Sequence, residues 1–218
     1  MVRSIQEVDM SIGKPDEFNP LELLINEIQH TMDQNCYIAS LFLALAIPDI
    51  CGQIAYPNLT VRKGKRNIQE QYIKWFDGHV DYSIYDAKDE FAHFSGELCY
   101  ALRCSIMHTG STDIGKKFID LSLNDFNFIL ESKNEYELYI DEFEIEESNE
   151  GGNKTVKRFV QINIRSLCKA IIFSAKRFYK LNKDLVDKMP VFKLRNLDSE
   201  RLKIEELRRI NDKLNRNK

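Results

Sequence analysis

Two residues near the middle of the 218-residue chain have the types and spacing that acid–base chemistry on a phosphate requires. Arg103 and His108 stand five positions apart. A histidine changes its charge near neutral pH and can take a proton from a ribose 2′-hydroxyl. An arginine can bind the neighbouring phosphate and stabilise the charge that develops on it. The pair therefore indicates metal-independent RNA cleavage as a candidate chemistry.

The segment that carries the pair is predicted to be a helix over 96–108. Ser95 is the expected N-cap, and Gly110 stands where a left-handed C-cap is expected. Arg103 and His108 would lie about 140° apart around the helix axis. The arginine is long and the last turn can loosen, so the two groups can still meet around one phosphate. The alternative is an arginine that extends into water beside a capping histidine.

Asp49 and Cys104 are candidate supporting residues. Asp49 lies in an apolar stretch, where burying an unpaired carboxylate is costly. Pairing with Arg103 or His108 would let it orient a catalytic group; the alternative is a turn aspartate exposed to water. Cys104 lies four residues before His108, which is also the spacing of a metal-ligand pair or a cysteine nucleophile. We interpret it by default as a packed, inert cysteine.

The basic segment 61–66 is a candidate RNA-binding loop. Lys63, Lys65 and Arg66 are the residues that would neutralise backbone phosphates. The alternative is an ordinary solvated loop. We interpret the Phe and Tyr residues of the later predicted strands as sheet packing, because segment 131–150 has nine acids and one lysine and would repel RNA.

The composition excludes several classes of protein. A net charge of −3 argues against a non-specific nucleic-acid coat protein. Five cysteines without a C-x-x-C pair argue against a disulfide framework and a zinc ribbon. Phosphate-binding loops, dinucleotide fingerprints, H-E-x-x-H and G-x-S-x-G motifs are also missing. We therefore expect neither a cofactor nor a metal, and we expect a cytoplasmic protein without a signal peptide or membrane span.

The apolar periodicities predict a mainly α fold, a helical bundle with a small antiparallel β-sheet of hairpins inserted at about 116–164 before the last core helix. The first predicted helix begins at Pro20. The second covers 37–54 and is kinked at Pro48, and the other three cover 68–78, 96–108 and 165–188. The predicted strands cover 117–123, 126–130, 137–145 and 156–164, with a hairpin turn at 149–153.

Three regions are predicted along the chain. Residues 1–18 are polar and expected to be flexible, and residues 19–190 are expected to form the helical domain. Residues 191–218 form a charged C-terminal helix or tail with a narrow apolar stripe, which favours docking or dimerisation over membrane binding.

Segment 96–111, GELCYALRCSIMHTGS, resembles the R-x(4–6)-H motif of the HEPN superfamily (higher eukaryotes and prokaryotes nucleotide-binding). Segments 43–52 (LALAIPDICG) and 74–77 (KWFD) look similar to a plasmid- and phage-borne branch of that superfamily. The strand pairs after the motif, followed by a closing helix, also look similar. The resemblance covers about residues 20–185.

This resemblance implies a helical-bundle homodimer whose two motif helices face each other. It implies a metal-independent endoribonuclease with Arg103 and His108 as catalytic residues. Such enzymes are common in toxin–antitoxin and phage-defence systems, where an antitoxin or a nucleotidyltransferase would be the partner. Many members are non-catalytic RNA- or protein-binding modules, which is the alternative. The residue after the motif arginine is often Asn, Asp or His; here it is Cys104, and Ser105 could supply a replacement hydroxyl.

Overall fold

The computed structural model describes residues 14–80, 94–112, 125–130, 142–148 and 154–216. The elements in the first half are β1 (Asp16–Phe18), α1 (Pro20–Asp33), α2 (Tyr37–Ala44), α3 (Ile47–Ala55), a 3₁₀ turn (Arg62–Gly64), α4 (Ile68–His79) and α5 (Gly96–Thr109). The second half contributes β2 (Asp125–Ile129), β3 (Glu142–Ser148), β4 (Lys154–Asn163), α6 (Ile164–Leu181), α7 (Lys183–Val186), β5 (Phe192–Leu194) and α8 (Leu197–Arg216). The chain divides into two compact units: Leu21–Lys188, and Met1–Pro20 with Met189–Lys218.

The first unit is mainly helical with a small inserted sheet, which confirms the predicted fold class. Its helices bury one face each: α1 buries residues three or four apart, namely Leu21, Ile25, Ile28 and Met32. In α6 the longest buried face of the unit runs from Ile164 to Phe178. The core therefore lies between helices.

The segment Tyr37–Ala55 is long and apolar enough to cross a membrane by length and composition, with a mean hydropathy of 1.8. In the structure it is not one kinked helix, as predicted, but the two helices α2 and α3. Leu45 and Ala46 separate them, and Pro48 lies in the first turn of α3, where its missing N–H costs nothing. The segment is 44% buried inside the protein. Neither α2, with 8 residues, nor α3, with 9, reaches the roughly 20 residues that a single helix needs to cross a bilayer.

Two glycines allow α3, α4 and α5 to pack closely. A Cβ added to Gly52 of α3 would lie 2.5 Å from the carbonyl oxygen of Gln71 in α4. A Cβ added to Gly96, at the start of α5, would lie 2.6 Å from the carbonyl oxygen of Ile73 in α4. The N–H of Gly96 also donates to Asp77 Oδ1 at 2.6 Å. Helix α4 therefore holds α3 and α5 in fixed positions on either side.

Strands β2, β3 and β4 form a three-stranded sheet in the order β2–β4–β3. The β3–β4 pair is antiparallel, as the predicted hairpin requires, with Phe143 opposite Phe159. Strand β2 pairs with β4 in parallel, with Asp125 opposite Phe159, so the sheet is mixed rather than purely antiparallel. Two parallel strands need a long connection between them. The alternation of apolar and polar residues along each strand does not reveal whether its partner is parallel.

Strand β4 leads directly into α6, whose N-cap is Asn163. Its side chain accepts hydrogen bonds from the N–H groups of Arg165 and Ser166. The predicted helix 165–188 is interrupted at Asn182, after which α7 forms a separate single turn. Asn182 Nδ2 donates to the carbonyl of Phe178 at 3.0 Å, a side-chain bond that ends helices.

The second unit contains β1, β5 and α8. Strand β1 lies within the region predicted to be flexible, yet it pairs antiparallel with β5, with Glu17 opposite Lys193. These two side chains also form an ion pair at 3.3 Å. The predicted C-terminal helix is α8. The strand predicted at 117–123, the hairpin turn at 149–153 and residues 1–13 lie outside the described residues.

Candidate active site

Arg103 and His108 meet at the C-terminal end of α5. Arg103 Nη1 lies 3.2 Å from His108 Nε2. Because a guanidinium nitrogen carries hydrogens and no available lone pair, Nε2 must be the acceptor in this contact. In this contact Nε2 is therefore the ring nitrogen without a hydrogen, and it points at the guanidinium.

Local sequence explains why α5 begins and ends where it does. Ser95 Oγ accepts from the N–H of Leu98 at 3.2 Å, which confirms the predicted N-cap. Gly110 has φ 63° and ψ 18°, the left-handed conformation expected at the C-cap. His108 thus lies in the last turn and is exposed to solvent. Arg103 lies five residues earlier, about 1.4 turns, and its side chain extends along the helix to the histidine.

Asp49 of α3 holds the other side of the same guanidinium. Arg103 Nη2 donates to Asp49 Oδ2 at 3.0 Å, and the two side chains are each 19% exposed. The carboxylate in the apolar stretch is therefore paired with Arg103 and is not exposed in a turn. A partly buried ion pair is screened less than a surface pair, so it orients its members more firmly.

A second arginine, Arg66, approaches Asp49 from the basic loop. Its Nη2 lies 3.4 Å from Asp49 Oδ1 and also donates to the backbone carbonyl of Asp49. Its Nε donates to Gln71 Oε1. Gln71 is only 1% exposed and donates from Nε2 to the carbonyl oxygens of Tyr56 at 2.6 Å and Leu59 at 3.3 Å. The loop and three helices therefore meet in one polar network.

Partial burial lowers the pKa of the Arg103 guanidinium, but its neighbours reverse this effect. The carboxylate of Asp49, with smaller contributions from Cys104 and Tyr100, raises the pKa of Arg103 above its usual value. The Arg103 guanidinium also lies 6.0 Å from the ring centroid of Tyr100. The side chain is therefore positively charged at neutral pH.

The remaining predicted site residues are placed differently. Ser105 is 4% exposed on the inner face of α5, so its hydroxyl cannot serve as an exposed replacement group. Cys104 is half-buried, and its thiol helps to raise the pKa of both Arg103 and Tyr100. Cys104 therefore lies at the site. Lys65 is exposed, whereas the side chain of Lys63 lies outside the described residues.

Sequence reasoning missed Gln71. It lies beside Tyr72 and precedes Trp75 and Phe76, and all four are buried. Ile68, an apolar residue of the same helix, is exposed instead. A polar residue at a core-facing position was the available signal, since a buried amide needs partners for both of its ends.

His108 is exposed to solvent, and the Arg103 side chain beside it is 19% exposed. A cavity of about 460 Å³ lies elsewhere and is lined by residues 35–39, Phe128, Leu130 and Ile164. Neither Arg103 nor His108 lines it. Within the described ranges, no group of three or more His, Cys, Asp or Glu side chains could hold a metal ion. An open surface site suits an extended polymer more than a small molecule that must be enclosed.

No protein-family model, curated protein or solved structure matches the chain. The chemistry of the site therefore has to be inferred from its geometry.

Proposed function

We propose that the protein is a metal-independent endoribonuclease of the HEPN type, with Arg103 and His108 as its catalytic residues. The observation that supports this most is the 3.2 Å contact between a guanidinium and an unprotonated imidazole nitrogen at an exposed helix end. This arrangement puts a general base and a charge-stabilising group within reach of the same phosphate.

The reaction is an attack of a ribose 2′-oxygen on the adjacent phosphorus. His108 Nε2 takes the 2′-hydroxyl proton, the bond from O2′ to phosphorus forms, and the bond from phosphorus to O5′ breaks. The leaving 5′-oxygen then takes up a proton. The products are a 2′,3′-cyclic phosphate and a 5′-hydroxyl.

Arg103 binds the phosphate and stabilises its developing negative charge. A guanidinium has five N–H groups, so the contacts with Asp49 and His108 leave donors for a phosphate. A phosphate that binds Arg103 displaces the guanidinium from Nε2, which then becomes available to the 2′-hydroxyl. Asp49 keeps the arginine at the helix end while this exchange takes place.

We further propose that the protein acts as a homodimer in the cytoplasm. One chain supplies one histidine to the site, and a second copy of α5 would supply the acid that protonates the leaving oxygen. The five cysteines are all free, which fits a reducing compartment. A toxin–antitoxin or phage-defence setting, with an antitoxin or nucleotidyltransferase as partner, is part of this proposal.

The test is cleavage of a panel of single-stranded and hairpin RNAs in excess EDTA, with analysis of the product ends. Cleavage by the wild type that yields 2′,3′-cyclic phosphates, and that Arg103→Ala and His108→Ala both abolish, supports the proposal. A substrate with a 2′-deoxyribose at the cleaved position should resist. Binding of RNA without cleavage would instead favour a non-catalytic RNA-binding module.

A further inference from the structure

We infer that Arg66 is a positioning residue of this site, which fixes Asp49 and through it Arg103, and that it does not bind the RNA backbone. The inference rests on the proposed function. It separates Arg66, whose guanidinium binds groups of the protein, from the exposed Lys65, although the sequence alone grouped the two residues together.

Arg66 donates to three groups of the protein. Its guanidinium donates to the side chain and the backbone carbonyl of Asp49 and to Gln71 Oε1, and its side chain is 30% exposed. An arginine that was available to RNA would have its donors in water. Lys65, the neighbouring residue, is exposed in this way.

The backbone on both sides of Arg66 is also held. The N–H of Val61 donates to the carbonyl of Lys65 at 2.7 Å, and the N–H of Asn67 donates to the carbonyl of Leu59 at 3.0 Å. Thr60 and Arg66 form an isolated antiparallel bridge. The loop is therefore a closed turn that holds the arginine side chain over α3 and α4.

Arg66 determines how Asp49 presents its two oxygens. Oδ1 lies 3.4 Å from Arg66 Nη2 and Oδ2 lies 3.0 Å from Arg103 Nη2, so each guanidinium contacts one oxygen of the carboxylate. Without Arg66, the carboxylate would be free to turn and bind Arg103 with both oxygens, which is the stronger geometry. That change would pull Arg103 away from His108 and reduce the positive charge available to a phosphate.

The kinetic test compares Arg66→Ala with Lys65→Ala, a matched control that removes an exposed cation from the same loop. We expect Arg66→Ala to lower kcat by about 10- to 100-fold with little change in KM, since small misplacements of catalytic groups have effects of this size. Lys65→Ala removes an exposed cation of the candidate RNA-binding loop, so we expect it to raise KM rather than to lower kcat. Arg66→Lys keeps a charge but cannot reach Asp49 and Gln71 together, so its kcat should lie between those of the wild type and Arg66→Ala.

A second readout does not depend on activity. Long-range ¹H–¹⁵N spectra report which imidazole nitrogen of His108 carries the proton, and His108→Ala identifies its signals. The wild type and Lys65→Ala should show the Nδ1–H form. Arg103→Ala and Arg66→Ala should both shift His108 towards the Nε2–H form. If Arg66→Ala does not fold, Arg66→Lys carries the same comparison.

The two tests separate this inference from the proposed function. An inactive wild type would refute the proposed function, while the spectra would still show whether Arg66 positions Arg103. An active wild type together with an Arg66→Ala variant of unchanged kcat and unchanged His108 tautomer would overturn the inference alone. A rise in KM without a fall in kcat would show that Arg66 is an RNA contact, which also overturns it.

Discussion

Asp49 and Arg103 form a hydrogen-bonded ion pair at 3.0 Å although 54 positions of sequence separate them. The pair joins α3 to α5 at the end where His108 is exposed. It therefore links the stability of the helical unit to the geometry of the candidate active site.

Replacing Asp49 should affect both properties. Asp49→Ala leaves Arg103 and Arg66 without their shared partner, and we expect a loss of about 2 kcal/mol in the free energy of unfolding. Asp49→Asn keeps an acceptor oxygen and should lose about half as much. Urea denaturation measures both values. Asp198→Asn is the control. The Asp198 side chain is 91% exposed in α8, so this substitution should not change the free energy of unfolding. Equal stability of Asp49→Ala and the control would contradict the assigned role.

Close helix packing should make Gly52 intolerant of any side chain. The Cβ of Gly52→Ala would overlap the backbone of Gln71 at 2.5 Å, so α3 must move away from α4. We expect a loss of about 1 to 3 kcal/mol. Gly78→Ala is the matched control in α4, since its Cβ would meet only Tyr56 Oη at 3.6 Å. It should be neutral or stabilising by up to about 1 kcal/mol. Thermal unfolding of the two variants checks this; the same shift in both would show that the close approach is not important.

Buried thiols should make the protein sensitive to alkaline pH. Burial raises the pKa of Cys168 to about 12 and the pKa of the Cys51 and Cys99 thiols still further. A group whose pKa is raised on folding stabilises the protein fully below its unfolded value, here 9.0, and this stability is lost as the pH rises towards 12. At pH 10 each thiol should account for a loss of about 1.4 kcal/mol.

Urea denaturation at pH 8 and pH 10 under reducing conditions measures this loss. The Cys168→Ala variant should lose about 1.4 kcal/mol less than the wild type between the two pH values. Cys36→Ala should match the wild type, because Cys36 is exposed. A Cys168→Ala variant whose loss equals that of the wild type would contradict the attribution to thiol burial.

The parts of the site that depend on local chemistry could be predicted from the sequence. Ser95 and Gly110 mark the ends of α5 because capping depends on residues a few positions apart. Arg103 and His108 meet because a long side chain spans the last turns of one helix. Asp49 was a candidate because an unpaired carboxylate is costly to bury in an apolar stretch.

The parts that depend on packing could not be predicted. Nothing near Arg66 in the sequence distinguishes it from Lys63 or Lys65, and only the position of the loop over α3 gives it partners. Gln71 needed the carbonyls of Tyr56 and Leu59, which tertiary structure supplies. The parallel pairing of β2 with β4 could not be predicted either. The alternation of apolar and polar residues along a strand does not reveal which strand lies beside it.

The most direct test of the central claim is a double-mutant cycle on Arg103 and His108, read as single-turnover cleavage of one RNA in EDTA. Both groups act on the same phosphate, so each single alanine variant should lower the rate by at least about 100-fold. The double variant should be little slower than the worse single variant, because residues that act as a unit are not additive. Rates equal to that of the wild type in either single variant, with the protein folded, would contradict the account.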